Sequence, residues 1–124
     1  MISGIVKNGR ATANIVFRLQ NQPDFTIEFV IDTGFTDSLS LPPPAVAVLG
    51  FPFVYDYDIY ANLADNSNVI LPVHQATIIW HGEEKVVNVL ATGKRPLLET
   101  ALLDRHELVI EFIEGGLVTI NDLT

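Results

Sequence analysis

An acidic side chain stands directly at the end of an apolar segment, in the sequence Asp32-Thr33-Gly34. The preceding residues 25–31 alternate apolar and polar side chains, which predicts a strand with one buried face. Asp and Gly both favour turns, so a β-turn at the end of this strand is one interpretation. The apolar pattern resumes at Leu39, however, which places the carboxylate between two core segments. This position favours chemistry over a simple surface turn.

The chemistry available to such a carboxylate is the activation of water for peptide-bond hydrolysis. Two carboxylates that share one proton around a water can act as general base and general acid. Their like charges resist ionising together, so the pair titrates as one unit. The chain contains one Asp-Thr-Gly sequence, so a pair requires Asp32 from each of two chains across a two-fold axis. Gly34 would allow a tight turn beside the acid, and Thr33 would send its hydroxyl across the axis.

The segments that must position these residues are mostly strands. Beta-branched and aromatic residues with polar residues between them predict strands over 11–19, 25–32, 55–63, 69–80, 85–93, 106–115 and 116–122. Turns are expected at 21–24 and 64–68 because Asn, Asp, Gln, Ser and Pro cluster there. Proline at the start and Gly50 at the end predict a short helix over 42–51, and a leucine-rich pattern predicts a second over 96–106. The order indicates a small β-barrel or sandwich.

Composition narrows the class of protein further. At 124 residues the chain is expected to form a single domain spanning residues 1–124, with 48% apolar residues to build its core. The net charge of −8 disfavours nucleic-acid binding, and no apolar run is long enough to span a membrane. The absence of cysteine excludes disulfides and thiolate metal sites. The first ten residues lack the features of a signal peptide, so a cytoplasmic protein is expected.

Three blocks of the sequence together resemble the retropepsin-like aspartic proteases, especially the small bacterial members. They are TIEFVIDTG at 26–34, the long segment at 61–90, and PLLETALL at 96–103. In that family they correspond to the catalytic loop, the flap hairpin with its following strands, and the segment that closes the site from below. The resemblance implies an all-β, closed acid-protease barrel with one short C-terminal helix. It also implies an aspartic endopeptidase, a homodimer with one shared site, a peptide or protein substrate, and no cofactor.

The resemblance also assigns roles to individual residues. Asp32 corresponds to the catalytic acid and base, Thr33 to the hydroxyl that bonds across the dimer, and Gly34 to the turn glycine whose carbonyl meets the substrate backbone. Phe35 and Asp37 fall near the substrate subsites. The flap tip, which would close over a bound peptide by β-pairing, corresponds to four residues. They are Asp65, Asn66, Ser67 and Asn68.

Some positions differ from the family pattern. Phe35 stands where many relatives have a small Ala or Ser, and Glu99 stands where the segment below the loop usually has Gly. The glutamate either crowds the catalytic loop or adds a third carboxylate to it. Thr36 and Thr100 stand where retroviral members often hold an acid and an arginine that pair.

These differences leave a second hypothesis open, in which the chain keeps the fold but is a peptide-binding or dimerisation module with little or no catalysis. A third is an unrelated β-sandwich in which Asp32 is only a turn residue. The three histidines, His74, His81 and His106, lack close metal-ligand spacing, so no metal site is predicted. Trp80 is expected to pack in the core or at a dimer contact.

Overall fold

The computed structural model describes residues 1–60 and 68–124, which form ten strands and two short helices. The elements in chain order are β1 (Ile2–Lys7), β2 (Arg10–Arg18), β3 (Phe25–Ile31), β4 (Leu39–Leu41), α1 (Pro43–Leu49), β5 (Phe53–Tyr60), β6 (Asn68–Trp80), β7 (Glu83–Ala91), β8 (Leu97–Leu98), α2 (Thr100–Leu103), β9 (His106–Ile110) and β10 (Leu117–Asp122). The protein is therefore mostly β, as the sequence predicts. No helix among the described residues has the length and apolar character needed to cross a membrane.

The strands join in one sheet with the order β5-β6-β7-β4-β8-β3-β2-β1-β10-β9. Most neighbours are antiparallel, and β6 also pairs with β2, from Val16 opposite Ile79 to Arg18 opposite Thr77. This extra pairing folds the sheet back on itself and encloses the apolar faces of the strands. The turn predicted at 21–24 is confirmed, because it lies between the antiparallel strands β2 and β3.

The core lies between these faces. Phe17 of β2 is fully buried and packs against Phe29 of β3, with ring centroids 5.9 Å apart, and against Phe51 at 5.3 Å. Because side chains alternate along a strand, Phe17 and Ile15 point into this core while Arg18 reaches solvent. The strand that leads to Asp32 is thus anchored by the two largest fully buried side chains among the described residues.

The helix α1 is confirmed close to the predicted limits. Prolines occupy its first positions, where a missing N–H leaves no hydrogen bond unmade. It ends at Gly50, whose left-handed backbone, with φ of 69°, allows its N–H to bond the carbonyl of Val46. This helix fills the connection between β4 and β5.

The predicted helix over 96–106 is wrong in its extent. Only Thr100–Leu103 is helical, and Leu97–Leu98 forms the strand β8. This strand runs parallel to β3 and antiparallel to β4, and thus fills the space between them. The hydrogen bonds of two neighbouring strands outweigh the helix propensity of leucine at these positions. The result places the start of α2 directly beneath the segment that follows β3.

Candidate active site

The segment from Asp32 to Ser38, called the Asp32 loop below, connects β3 to β4. The main chain of Asp32 donates a hydrogen bond of 2.8 Å to the carbonyl of Leu98, which extends the parallel pairing of β3 with β8. Asp32 is half-buried, whereas Thr33 and Gly34 are exposed. The loop therefore rises from the core with its acid at the base and its hydroxyl at the surface.

Gly34 holds the carboxylate of Asp32. Its N–H donates a hydrogen bond of 2.8 Å to Asp32 Oδ1. A Cβ atom at Gly34 would lie 3.1 Å from that oxygen, closer than ordinary van der Waals contact. A side chain at this position would displace the carboxylate by a few tenths of an ångström, so glycine accommodates the observed approach.

The loop is supported from below by α2 and the residue before it. The main chain and the hydroxyl of Thr100 both donate to the carbonyl of Phe35, at 3.1 and 3.0 Å. Ala101 N–H donates to the carbonyl of Asp37 at 3.1 Å, and Glu99 N–H donates to the carbonyl of Ser38 at 2.9 Å. These contacts fix the far half of the loop, and Thr100 acts in them through a hydroxyl whose role the sequence did not reveal.

Glu99 brings a second kind of carboxyl group to the site. Its side chain is only 2% exposed, its Oε2 accepts a hydrogen bond of 2.9 Å from Ser40 Oγ, and its Oε1 is buried without a partner. Burial raises the pKa of Glu99 to about 7, against the opposing effect of the Ser40 hydrogen bond. The nearby charges of Asp37 and Asp32 raise it further. Glu99 thus keeps its proton in mildly acidic solution.

A cavity of about 540 Å³ opens beside the loop. Gly34, Phe35, Asp37 and Glu99 line it from the loop and from the segment below. The remaining wall is mostly apolar and comes from the strands β5 to β8, at Tyr57, Val69, Leu71, Leu90 and Leu97. Burial also raises the pKa of Asp37, which is half-buried at this wall. The cavity offers an apolar surface with carboxyl groups at one side, and Asp32 is not among its lining residues.

Some of the predicted site residues lie together in the structure, and others lie outside the described residues. Asp32, Thr33, Gly34, Phe35 and Asp37 share one loop, and Phe35 projects from it with 56% of its surface exposed. The predicted flap residues Asp65, Asn66 and Ser67 lie outside the described residues. The backbone of Asn68 begins β6 opposite Tyr60 of β5, so these two strands flank the predicted flap tip. Their roles in binding substrate stay predictions.

The same fold occurs in a solved structure. A retropepsin-like aspartic protease from Rickettsia conorii matches the chain with a TM-score of 0.60 and 21% sequence identity. The match covers 96% of this chain and 93% of that protein. No protein-family model matches the sequence, and no curated protein sequence matches it. The chain thus has the retropepsin-like fold, which confirms the resemblance at the level of architecture.

Proposed function

We propose that the chain is an aspartic endopeptidase whose active site forms between two copies, each contributing Asp32. The observation that carries the proposal is the half-buried carboxylate of Asp32, held by Gly34 N–H at 2.8 Å where β3 ends in a retropepsin-like fold. A carboxylate that accepts a main-chain hydrogen bond in this position is preorganised for proton transfer. The exposed hydroxyl of Thr33 is free to reach the second copy.

In the proposed reaction, one Asp32 carboxylate accepts a proton from a bound water as the water oxygen attacks the peptide carbonyl carbon. The protonated Asp32 of the second copy donates its proton to the carbonyl oxygen. The first Asp32 then donates the proton that it took from water to the amide nitrogen, and a hydroxyl of the tetrahedral intermediate gives its proton to the second Asp32. The C–N bond breaks, the amine and the carboxylic acid are released, and one proton is again shared by the pair. Two like charges at close range favour this single-proton state.

Substrate binding is assigned to the cavity beside the loop. Its apolar wall suits the side chains of a peptide, and Phe35 and Asp37 stand at its edge. The flap residues Asp65, Asn66, Ser67 and Asn68 would cover the peptide and exclude water. The proposal also includes a single domain over residues 1–124, folded as a closed barrel, and a homodimer of this domain. It further includes a cytoplasmic location, which the lack of cysteine favours.

The environment of Glu99 favours a second candidate function, in which the chain is a retropepsin-fold module that binds peptides or dimerises without turnover. A buried glutamate below the loop, with one oxygen unpartnered, adds negative charge to the site whenever it ionises. The exposed Phe35 offers an apolar contact for a peptide in either case. This candidate requires peptide binding that is independent of any cleavage.

The test compares wild type with Asp32→Asn in a screen of quenched peptide substrates between about pH 4 and 7, where a shared-proton pair is competent. We expect the substitution to lower cleavage by about 1,000-fold or more, because general acid and base catalysis both require the carboxyl group. The matched control is Asp104→Asn, an exposed aspartate outside the loop and the cavity, which should retain most of the cleavage. Fluorescence anisotropy with an uncleaved peptide measures binding separately.

Mixed dimers then test the sharing of the site. Wild-type and Asp32→Asn chains with different affinity tags are co-expressed, and dimers carrying both tags are purified. The mixed dimers should be inactive, because each site needs two acids. The proposal is contradicted if the mixed dimers cleave peptide as fast as wild type does. It is also contradicted if wild type cleaves peptide while it is strictly monomeric. Peptide binding by wild type with no cleavage across the screen supports the non-catalytic module instead.

A further inference from the structure

A cluster of metal-ligating side chains lies outside the Asp32 loop and its cavity. His81 occupies the turn between β6 and β7, His106 begins β9, and Asp122 ends β10 directly opposite His106. One ligand atom from each of the three lies within 4.8 Å of the others. The residues are far apart along the chain, so their spacing in the sequence gave no sign of this site.

The distance between the two imidazoles suits a shared ion. His81 Nε2 and His106 Nε2 are 3.0 Å apart and share a hydrogen bond, whose hydrogen a bound ion would replace. Two nitrogen ligands at about 2.0–2.1 Å from a tetrahedral zinc ion are separated by roughly 3.3 Å, so a small adjustment admits the metal. The exposed carboxylate of Asp122 supplies an oxygen ligand and negative charge on the same side.

The tautomer of His106 is fixed in the form that binds metals. His106 Nδ1 lies 2.7 Å from the main-chain carbonyl of Asp104, and a carbonyl oxygen can only accept a hydrogen bond. Nδ1 therefore carries the hydrogen, and the lone pair of the neutral ring is on Nε2, facing His81. Metal-binding histidines are usually oriented by such a bond from their other ring nitrogen to a carbonyl or carboxylate.

The surrounding residues hold the three ligands in place. The ring of Trp80, 7% exposed and part of the core, packs edge-on against both imidazoles, with centroid distances of 5.2 Å to His81 and 5.3 Å to His106. Asp122 Oδ1 accepts hydrogen bonds from the main chain and hydroxyl of Thr124, at 2.9 and 2.6 Å. Ligands fixed in this way lose little conformational entropy when an ion binds.

We propose that His81, His106 and Asp122 bind one divalent transition-metal ion of the zinc type, with water completing its coordination. Two imidazoles and one carboxylate are a ligand set suited to Zn²⁺ and its neighbours rather than to Ca²⁺ or Mg²⁺. The bound ion joins the β6–β7 turn to the strands β9 and β10. It links a turn near one end of the sheet order to the two strands at the other end.

The test is calorimetric titration of ZnCl₂ into protein that has been treated with chelator and carries no histidine tag. A neutral imidazole is the form that binds a metal ion, so the measurement is made near pH 8, well above the pKa of a free imidazole. We expect one ion per chain with Kd below about 10 µM, and a higher Tm with Zn²⁺ than without. MgCl₂ should give neither effect.

Three variants decide whether the cluster is the site. His81→Asn, which suits the left-handed backbone of His81 with φ of 51°, and Asp122→Asn should each weaken binding at least tenfold. The control is His74→Gln, a histidine of β6 outside the cluster, which should bind as wild type does. The proposal is overturned if wild type shows no saturable binding below about 100 µM, or if both cluster variants bind as tightly as wild type.

Discussion

Asp32 and Glu99 are carboxyl groups of the same site in two different environments. Asp32 is half-buried and accepts a main-chain hydrogen bond from Gly34, whereas Glu99 is 2% exposed and leaves one oxygen without a partner. The pKa of Glu99 is raised to about 7, chiefly by burial. The difference teaches that burial, and not the residue type, is what allows Glu99 to retain its proton.

The largest expected effect on the free energy of unfolding comes from Glu99→Gln, which should change how that free energy depends on pH. The folded protein binds the Glu99 proton more tightly than the unfolded chain does, because its pKa rises from 4.5 to about 7 on folding. Its contribution is thus fully favourable below about pH 4.5 and is lost as pH rises through 7. The free energy of unfolding of wild type should fall by about 3 kcal/mol from this group, and the variant should lack that fall.

Urea denaturation at about pH 4 and about pH 8 measures this difference. Asp37 also has a raised pKa, so the subtraction of variant from wild type isolates Glu99. The control is Glu83→Gln, because Glu83 is exposed on β7 and should leave the pH dependence unchanged. An equal fall in the free energy of unfolding of wild type and Glu99→Gln would mean that Glu99 ionises over the same pH range in the folded and unfolded states.

A smaller effect is expected from Ser40→Ala, which removes the hydrogen bond to Glu99 Oε2. The hydrogen bond opposes the rise in the pKa of Glu99, so its removal should raise that pKa further. The variant should lose about 1–2 kcal/mol of stability, with the greater loss at pH 8, where the bond is to an ionised carboxylate. Urea denaturation at both pH values checks this, with the exposed Ser3→Ala as control. A loss that is equal at both pH values would count against the charge-dependent role.

The smallest effect is expected from Thr100→Val, which keeps the shape of the side chain and removes its hydroxyl. The carbonyl of Phe35 then keeps only the main-chain bond from residue 100, at 3.1 Å. We expect a loss of about 0.5–1 kcal/mol in the free energy of unfolding by urea. Thr26→Val, at an exposed position of β3, should cause no loss. A loss above the range of one hydrogen bond would show that Thr100 supports more than the loop carbonyl.

Much of the fold could be predicted because its signals are local. Alternating apolar residues mark β2 and β3, and proline with Gly50 marks the limits of α1. The strand β8 could not be predicted in this way, since Leu97–Leu98 carries no strand pattern of its own. Its conformation is set by pairing with β3 and β4, which lie more than 50 residues earlier in the chain.

The candidate site, like the fold, could be predicted only where its signals are local in the sequence. The position of the Asp32 loop follows from the strand before it, and the sequence raised the possibility of a third carboxylate at Glu99. The burial of Glu99 and its bond to Ser40 depend on how β4 and β8 pack, which no short pattern contains. The meeting of His81, His106 and Asp122 depends on the return of β9 and β10 to the turn after β6.

The position of β8 between β3 and β4 also has a consequence during protein synthesis. The hydrogen bonds that shape the Asp32 loop come from Leu98, Glu99, Thr100 and Ala101, all of which leave the ribosome long after the loop itself. Contacts of such long sequence separation form late in folding, because a long segment of chain must first be closed. A nascent chain therefore contains the Asp-Thr-Gly sequence without its shaped loop. The loop becomes ordered only when the segment that supports it has been made.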